Sequence, residues 1–307
     1  MVSSSRVCAL CFSIFVVACL SFLYPLSASA QVTATNWPGW RGDGNGISPE
    51  QKVPLHWNAT TSIAWKTELP GEGNSSPIVW GQSIFLTAST DKGHARWVIC
   101  LNVADGSIRW QTSLPVEKSA VTYPKSGYAS PTPVCDGDRV YAFFDDPGLV
   151  ALDMDGKLLW TRPLGPFKTP YNMAESLALV NDLVVQVCDH EGGSFITGIE
   201  RTTGNIRWKT PRPNGLGYCS PIVIDHKGVK QIVVNGPAVK AYAADTGKEL
   251  WSCKGMMDVA SPSTVYSHGL VYATTGRNGP TLMIDPSGTG DITESGIRGR
   301  RNTGGAT

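Results

Sequence analysis

The amino-acid sequence predicts an all-β protein, a β-propeller of four-stranded antiparallel blades, and two repeated patterns support this prediction. The first is a hairpin in which glycine precedes tryptophan by four residues; its copies are Gly106–Trp110, Gly156–Trp160, Gly204–Trp208 and Gly247–Trp251. The second is a serine followed by alternating apolar residues, usually as Ser-Pro; its copies begin at Ser76, Ser130, Ser176 (a degenerate copy), Ser220 and Ser261. Four short strands fit into each repeat, which is the composition of a propeller blade.

Each repeat can be explained residue by residue. Proline starts a strand well because its missing N–H falls at the first position. Glycine supplies the positive φ that a tight hairpin requires. The tryptophans recur every 43 to 50 residues, at Trp65, Trp110, Trp160, Trp208 and Trp251. A β-sandwich also uses short strands with Gly and Pro turns, but nothing in a sandwich requires the same phrase to recur. The repeats therefore favour the propeller.

The repeats predict about five blades and an incomplete ring. Ser62–Thr67 is a lone tryptophan strand with no blade before it, and in a closed ring such a strand completes the last blade. The fifth blade begins at Ser261, but no tryptophan follows Trp251. We therefore expect the fifth blade to lack its tryptophan strand, and the unpaired Ser62–Thr67 strand to promote association.

The amino terminus predicts export. Residues 1–30 read as a signal peptide, with Arg6, an apolar stretch and a cleavage site at Ala28–Ala30. A membrane span and a lipid anchor at Cys19 are the alternatives. We predict a periplasmic or secreted protein with no membrane span after cleavage, a Trp/Gly-rich arm over residues 31–60 and the propeller over 61–307. Trp37, Trp40 and Trp57 of the arm are expected to pack on the propeller, or alternatively to form an aromatic ligand platform.

Composition excludes several classes of function. The net charge is +1 with interspersed charges, so the chain has no basic surface for nucleic acid. Five cysteines follow the predicted signal, one or so per blade and without a CxxC pair, which favours buried core residues over a disulfide framework or a zinc site. The chain contains neither GxSxG nor GxxxxGK[ST], so serine-hydrolase and phosphate-loop signatures are missing.

The candidate ligand-binding residues precede the innermost strands, where those strands open onto the central channel of a propeller. They are Asn74, Tyr128, Glu175 and Tyr218. The alternative is that these residues cap strands and form hydrogen bonds to neighbouring blades. Asp189-His190-Glu191 resembles a metal cluster, but adjacent residues point in different directions, so we interpret it as a solvated loop. The loop at Arg277-Asn278 is interpreted in the same way. We assign no catalytic and no metal-binding residue.

The glycine–tryptophan hairpins, the Ser-Pro strands and the opening arm NWPGWRGDGNG at 36–46 resemble the PQQ-like β-propeller family. That family includes quinoprotein alcohol dehydrogenases and the outer-membrane assembly factor BamB. The similarity extends over about residues 36–298, and Gly276–Thr293 resembles exported members of unassigned function. The family fold has six to eight blades, so the resemblance implies a truncated propeller or a gene fragment.

Three functions remain open at this point. The first is a non-catalytic envelope scaffold that presents loops to a protein or peptide partner and uses no cofactor. The second is a quinoprotein dehydrogenase that uses pyrroloquinoline quinone (PQQ) and Ca²⁺, which requires carboxylate and amide ligands that we cannot assign. The third is a module that binds a small molecule or sugar at the channel mouth.

Overall fold

The computed structural model describes residues 36–50, 52–114, 116, 127–213, 215–257, 259–276 and 278–303. The predicted signal peptide, the alternative lipid site at Cys19, and Arg277 lie outside these residues. Within the described ranges, no helix has the length and apolar character needed to cross a bilayer.

The described residues form five four-stranded antiparallel blades whose strands follow chain order. Blade 1 contains β1 (Ile78–Trp80), β2 (Ser83–Thr90), β3 (Ala95–Asn102) and β4 (Ile108–Leu114). Blade 2 contains β5 (Val134–Cys135), β6 (Arg139–Phe143), β7 (Leu149–Asp153) and β8 (Leu158–Arg162). Blade 3 contains β9 (Ala178–Val180), β10 (Leu183–Cys188), β11 (Phe195–Glu200) and β12 (Ile206–Pro211). Blade 4 contains β13 (Ile222–His226), β14 (Val229–Val234), β15 (Ala238–Ala243) and β16 (Glu249–Lys254).

Blade 5 contains β17 (Val265–Ser267), β18 (Leu270–Thr274), β19 (Thr281–Ile284) and β21 (Ile297–Arg301). Between its last two strands, β20 (Gly290–Asp291) pairs in parallel with β16 of blade 4, and a single helical turn, α1, spans Thr293–Gly296. A short 3₁₀ turn, Asp91–Gly93, joins β2 to β3. The prediction of an all-β, incomplete propeller of about five blades is confirmed.

Hydrophobic clusters join neighbouring blades in sequence. One cluster each lies between blades 1 and 2, 2 and 3, 3 and 4, and 4 and 5. Among the described residues, no such cluster joins blade 5 back to blade 1. All five described cysteines are buried and free, as the sequence indicated: Cys100, Cys135, Cys188, Cys219 and Cys253.

The prediction that blade 5 lacks its fourth strand was wrong. β21 pairs with β19, and Gly299 lies opposite Met283 at the register position that tryptophan occupies in the other blades. In blade 5 the larger residue of this pair, Met283, lies on β19 and the smaller one, Gly299, lies on β21, and this reversal explains the missing tryptophan. The residue opposite Trp208 is the small Gly198, whereas a Cβ on Gly299 would lie 2.8 Å from the Met283 sulfur. Backbone hydrogen bonds to β19 therefore form this strand without the tryptophan that is present in the fourth strand of the other blades.

The glycine–tryptophan repeat joins blades as well as turning hairpins. The glycines have positive φ, as predicted, with Gly204 at 70°. Each also lies under the preceding tryptophan of the repeat: a Cβ on Gly204 would lie 2.7 Å from the Trp160 ring. The indole Nε1 of Trp160 donates to the Arg201 carbonyl in the same turn at 3.1 Å. Trp110 and Trp208 donate in the same way to Met154 and Ala244.

Ser62–Thr67 was predicted to be a strand, but the structure assigns no strand to it. Its side chains nevertheless bind blade 1 in the way that one blade binds the next. Trp65 Nε1 donates to the Val103 carbonyl at 2.9 Å, and Thr67 Oγ1 donates to the Gly106 carbonyl at 2.6 Å. Trp251 differs, because its Nε1 donates to Gln231 Oε1 within its own blade. Side-chain docking thus persists where sheet pairing is missing.

Candidate functional site

The segments that precede the innermost strands of the five blades surround a cavity of about 560 Å³. Two of the four predicted site residues, Asn74 and Tyr218, line this cavity. Glu175 is fully buried between the lining residues Ala174 and Ser176. Tyr128 is not among the lining residues, and its ring lies 4.8 Å from the Arg96 guanidinium carbon. Ligand binding by these four residues remains a prediction.

A belt of hydroxyl groups links the blades around the cavity. The backbone N–H of Ser76 donates to Thr132 Oγ1 at 3.0 Å, that of Thr132 donates to Ser176 Oγ at 3.0 Å, and that of Ser176 donates to Ser220 Oγ at 2.9 Å. The backbone N–H of Asn74 donates to the Ala129 carbonyl at 2.9 Å. Segments before the inner strands therefore do form hydrogen bonds to neighbouring blades, as the alternative interpretation expected.

This belt was not identified from the sequence because the repeats were aligned on the Ser-Pro pair, which in blade 2 selects Ser130 instead of Thr132. Ser76, Thr132, Ser176 and Ser220 each precede the first residue of an inner strand by two positions. In blade 2 the Ser-Pro pair, Ser130-Pro131, comes two residues earlier than in blade 1. Counting back from the apolar strand rather than from the proline would have identified Thr132 as the equivalent residue.

The amino-terminal arm lies against the inner strands. Trp37 pairs with Val79 as an isolated bridge, and the Pro38 carbonyl accepts the Cys135 N–H at 2.9 Å. Trp40 then lines the cavity, so the arm supplies one of its walls. The expected packing holds for Trp37 and Trp40, which are half-buried. It was wrong for Trp57, which is 67% exposed, because nothing in the described residues covers the extended segment that carries it.

Glu175 is a buried acid with an incompletely paired carboxyl group. Its Oε2 accepts the Ala174 N–H at 3.0 Å, while Oε1 has no hydrogen-bond partner among the described residues. Burial, with Asp189 nearby, raises the pKa of the Glu175 carboxyl well above its ordinary value. The side chain is therefore protonated and neutral at pH values where an exposed glutamate is charged.

The interpretation of Asp189-His190-Glu191 as a solvated loop was wrong for its first two residues. Asp189 is 6% exposed and forms a bidentate pair with Arg212, at 2.7 and 2.9 Å. His190 is 4% exposed, and burial lowers its pKa. Only Glu191 is exposed. The pairing that buries Asp189 connects residues 23 positions apart, so local sequence could not reveal it.

The cavity can be tested against the cofactor of the quinoprotein dehydrogenases. PQQ carries three carboxylates, which a binding site must match with cationic or other strong donors. The residues that line the cavity contain no Lys, Arg or His and no acid that could hold Ca²⁺. Across the described residues, no group of three His, Cys, Asp or Glu side chains could hold a metal ion. This lining does not fit PQQ with Ca²⁺, and we derive no chemical step through them.

A family model described as outer membrane protein assembly factor BamB matches residues 53–229, more than half of the chain. Comparison with curated protein sequences gives no match.

Solved structures of two kinds share the fold. BamB from Moraxella catarrhalis aligns with a TM-score of 0.53 at 18% identity, over 79% of this chain and 68% of its own. The quinohemoprotein alcohol dehydrogenase from Comamonas testosteroni aligns with a TM-score of 0.64 at 14% identity, over 89% of this chain and 50% of its own. The quinohemoprotein alcohol dehydrogenase ADHIIG from Pseudomonas putida HK5 gives 0.58 at 16%, over 78% and 43%. The chain thus spans about half the length of these dehydrogenases, and such identities show the fold alone.

Proposed function

The chain belongs to the family of the outer membrane protein assembly factor BamB, and on that basis we propose that it is an exported, non-catalytic scaffold. Its partner is a protein of the machinery that assembles outer-membrane proteins. The predicted signal peptide at 1–30 supports export, and the family description supports the choice of partner.

The observation that carries this proposal is a run of exposed apolar side chains over residues 52–69, which we call the apolar segment. Its members are Val53 (61% exposed), Leu55 (82%), Trp57 (67%), Ile63 (46%) and Leu69 (36%). No strand or helix is assigned to this segment. Several exposed apolar side chains in one segment are consistent with a binding site, because their burial by a partner is favourable at about 25 cal/mol per Å².

The apolar segment is held against the propeller rather than free. Trp65 and Thr67 attach it to the turn of blade 1 through the two hydrogen bonds described above. Between the segment and the blade lies a groove of about 670 Å³, lined by apolar side chains that include Leu69, Ile84 and Leu86. A protein partner could therefore insert apolar side chains into the groove while it covers Leu55 and Trp57.

Photo-crosslinking in cells tests the proposal. A photoreactive amino acid at Leu55 is expected to crosslink the full-length protein, recovered from the envelope fraction, to a component of the outer-membrane assembly machinery. The matched control is Ile206, a 42% exposed apolar residue at the rim of blade 3, where no crosslink is expected. Equal crosslinking at both positions, or recovery only from the cytoplasm, would contradict the proposal.

The second candidate is a quinoprotein dehydrogenase-like enzyme, which the structural similarity to two such dehydrogenases favours. The neutral lining of the cavity disfavours it. Reconstitution with PQQ and Ca²⁺, followed by alcohol-dependent dye reduction, distinguishes the two candidates. Activity above that of the protein without added cofactor would replace the scaffold proposal.

A further inference from the structure

The central cavity has the size and the walls of a ligand site. Its volume of about 560 Å³ lies within the usual range for small-molecule pockets. All five blades contribute to its wall, from Asn74 of blade 1 to Ser263 of blade 5, and Trp40 of the arm contributes as well. The apolar segment takes no part in it, although Asn74 lines both this cavity and the groove beside that segment.

The lining is rich in hydroxyl groups. Six serine and threonine residues line the cavity: Ser130, Thr132, Ser176, Ser220, Ser261 and Ser263. Three of them, Thr132, Ser176 and Ser220, already accept an N–H from the neighbouring blade. Since a hydroxyl carries one donor and two acceptor sites, each of these three keeps its O–H to donate. The belt that fixes the blades therefore also presents donors to a ligand.

Aromatic rings complete the lining. Tyr171 and Tyr218 lie edge to face with centroids 5.8 Å apart, and Tyr171 is 42% exposed at the edge of the cavity. Trp40 lies among the lining residues, and its indole Nε1 is buried without a hydrogen-bond partner in the described part of the chain. Such a donor is costly to leave unpaired, and an acceptor on a ligand would satisfy it.

No charged residue lines the cavity, and this restricts the chemical class of ligand that the cavity could bind. The lining residues are Ser, Thr, Asn, Tyr, Trp, Ala and Pro. Burial raises the pKa of the adjacent acid Glu175 well above its ordinary value, which favours its neutral form, and Asp189 is paired with Arg212. An ionic ligand would lose its hydration here without gaining a counter-charge. A ligand with many hydroxyls and apolar ring faces would match both the hydroxyl belt and the aromatic rings.

We propose that the central cavity binds a neutral saccharide through its hydroxyl belt and aromatic rings. This site lies beyond the scaffold function and is independent of it. The hydroxyls exchange hydrogen bonds with the sugar hydroxyls, and Tyr171 and Trp40 contact the C–H faces of the sugar rings.

Isothermal titration calorimetry of the mature protein tests the proposal with maltotriose, cellotriose and triacetylchitotriose as neutral probes. Trigalacturonate and deacetylated chitotriose serve as charged counterparts, and PQQ is included as a third arm. At least one neutral trisaccharide is expected to bind with a Kd below about 1 mM. The charged trisaccharides, trigalacturonate and deacetylated chitotriose, are expected to bind at least about tenfold more weakly than this neutral trisaccharide. No neutral binding at this level, or tighter binding of PQQ, would overturn the proposal.

Two variants locate the site. Ser261→Trp places a bulky ring at an exposed wall position and is expected to weaken saccharide binding at least about tenfold without changing the melting temperature. Ser48→Trp, on an exposed position outside the cavity, is its control. Tyr171→Ala should weaken binding about fivefold, whereas Trp57→Ala should leave it unchanged. Unaltered affinity in both cavity variants would overturn the assignment to this cavity.

Discussion

Blades in the middle of the array are buried on both faces, whereas the two end blades are buried on one. In blade 3 all six residues of β10 are buried. In blade 5, β18 alternates instead: Val271 and Ala273 are buried against blade 4, while Leu270, Tyr272 and Thr274 are half-buried. Ile84 and Leu86 of blade 1 are similarly half-buried beside the groove. The same repeat therefore buries less apolar surface at the two ends of the array than in the middle.

The comparison shows that a blade depends on its neighbours for stability. Repeat arrays are stabilised by the intrinsic stability of each repeat plus an interface term for each adjacent pair, so an end blade has one interface term where a middle blade has two. Trp208, between blades 3 and 4, is 8% exposed, whereas Trp65, outside blade 1, is half-buried although it makes the same hydrogen bond to a turn carbonyl. Trp110 and Trp160, between blades 1 and 2 and between blades 2 and 3, are half-buried as well, so the burial of the tryptophan differs from one interface to the next.

The largest expected effect is on these docking tryptophans. Trp208→Ala should lower the free energy of unfolding by about 3–5 kcal/mol, because it leaves a cavity between two blades and removes a buried hydrogen bond. Trp65→Ala should cost about 1–2 kcal/mol, because the ring is covered on one side only. Urea denaturation followed by circular dichroism measures both. Equal losses would mean that end and middle interfaces are equivalent.

The second prediction distinguishes the role of Gly204 in the hairpin turn from its role in contacting the tryptophan of the neighbouring blade. Gly204→Ala should cost about 2–3 kcal/mol, because its Cβ would meet the Trp160 ring at 2.7 Å and its φ is +70°. Gly290→Ala is the matched control, since it has the same φ but no atom within 4 Å of the place where a Cβ would lie. Gly290→Ala should lower the free energy of unfolding by about 1 kcal/mol, which is the cost of the positive φ alone. Thermal unfolding of both variants gives the difference, and equal losses would exclude a docking role for the glycine.

The smallest effect concerns the acid buried in blade 3. The pKa of Glu175 is raised above its ordinary value of 4.5, so the folded state binds its proton more tightly than the unfolded state does. Its contribution to stability is then fully present below about pH 4.5 and is lost as the pH rises through the folded-state pKa. Glu175→Gln removes this loss and should be about 1–2 kcal/mol more stable than the parent protein at pH 8.

The control for Glu175→Gln is Glu200→Gln in the same blade. Glu200 is exposed to solvent at its carboxyl, and hydrogen bonds from Thr203 and Arg207 lower its pKa. Its contribution is therefore present above about pH 4.5 and is lost as the pH falls, which is the opposite sign. Unfolding measured between pH 4 and pH 8 distinguishes the two. A Glu175→Gln variant with the pH dependence of the parent would show that Glu175 does not remain protonated.

The repeated elements were predictable because their signals are local. Apolar alternation and the glycine turns identified the four strands of blades 1 to 4 and the first three strands of blade 5, and the positions of Trp110, Trp160, Trp208 and Trp251 followed from their spacing to the glycine. Where a local marker was lost, as at Gly299, the prediction failed, although pairing with β19 still formed the strand. The candidate site was predicted only in part: Asn74 and Tyr218 lie at the cavity, whereas Tyr128 lies against Arg96.

The sequence by itself determined most of the strands, the glycine hairpins and the number of blades, because each follows from the alternation of side chains and from turn residues within a few positions. Only the tertiary structure decided which distant groups meet. Thr132 with Ser176 and Trp160 with Gly204 are brought together by the way one blade packs on the next, whereas Asp189 meets Arg212 within blade 3. These contacts join residues 23 to 44 positions apart, and no local pattern encodes such distances.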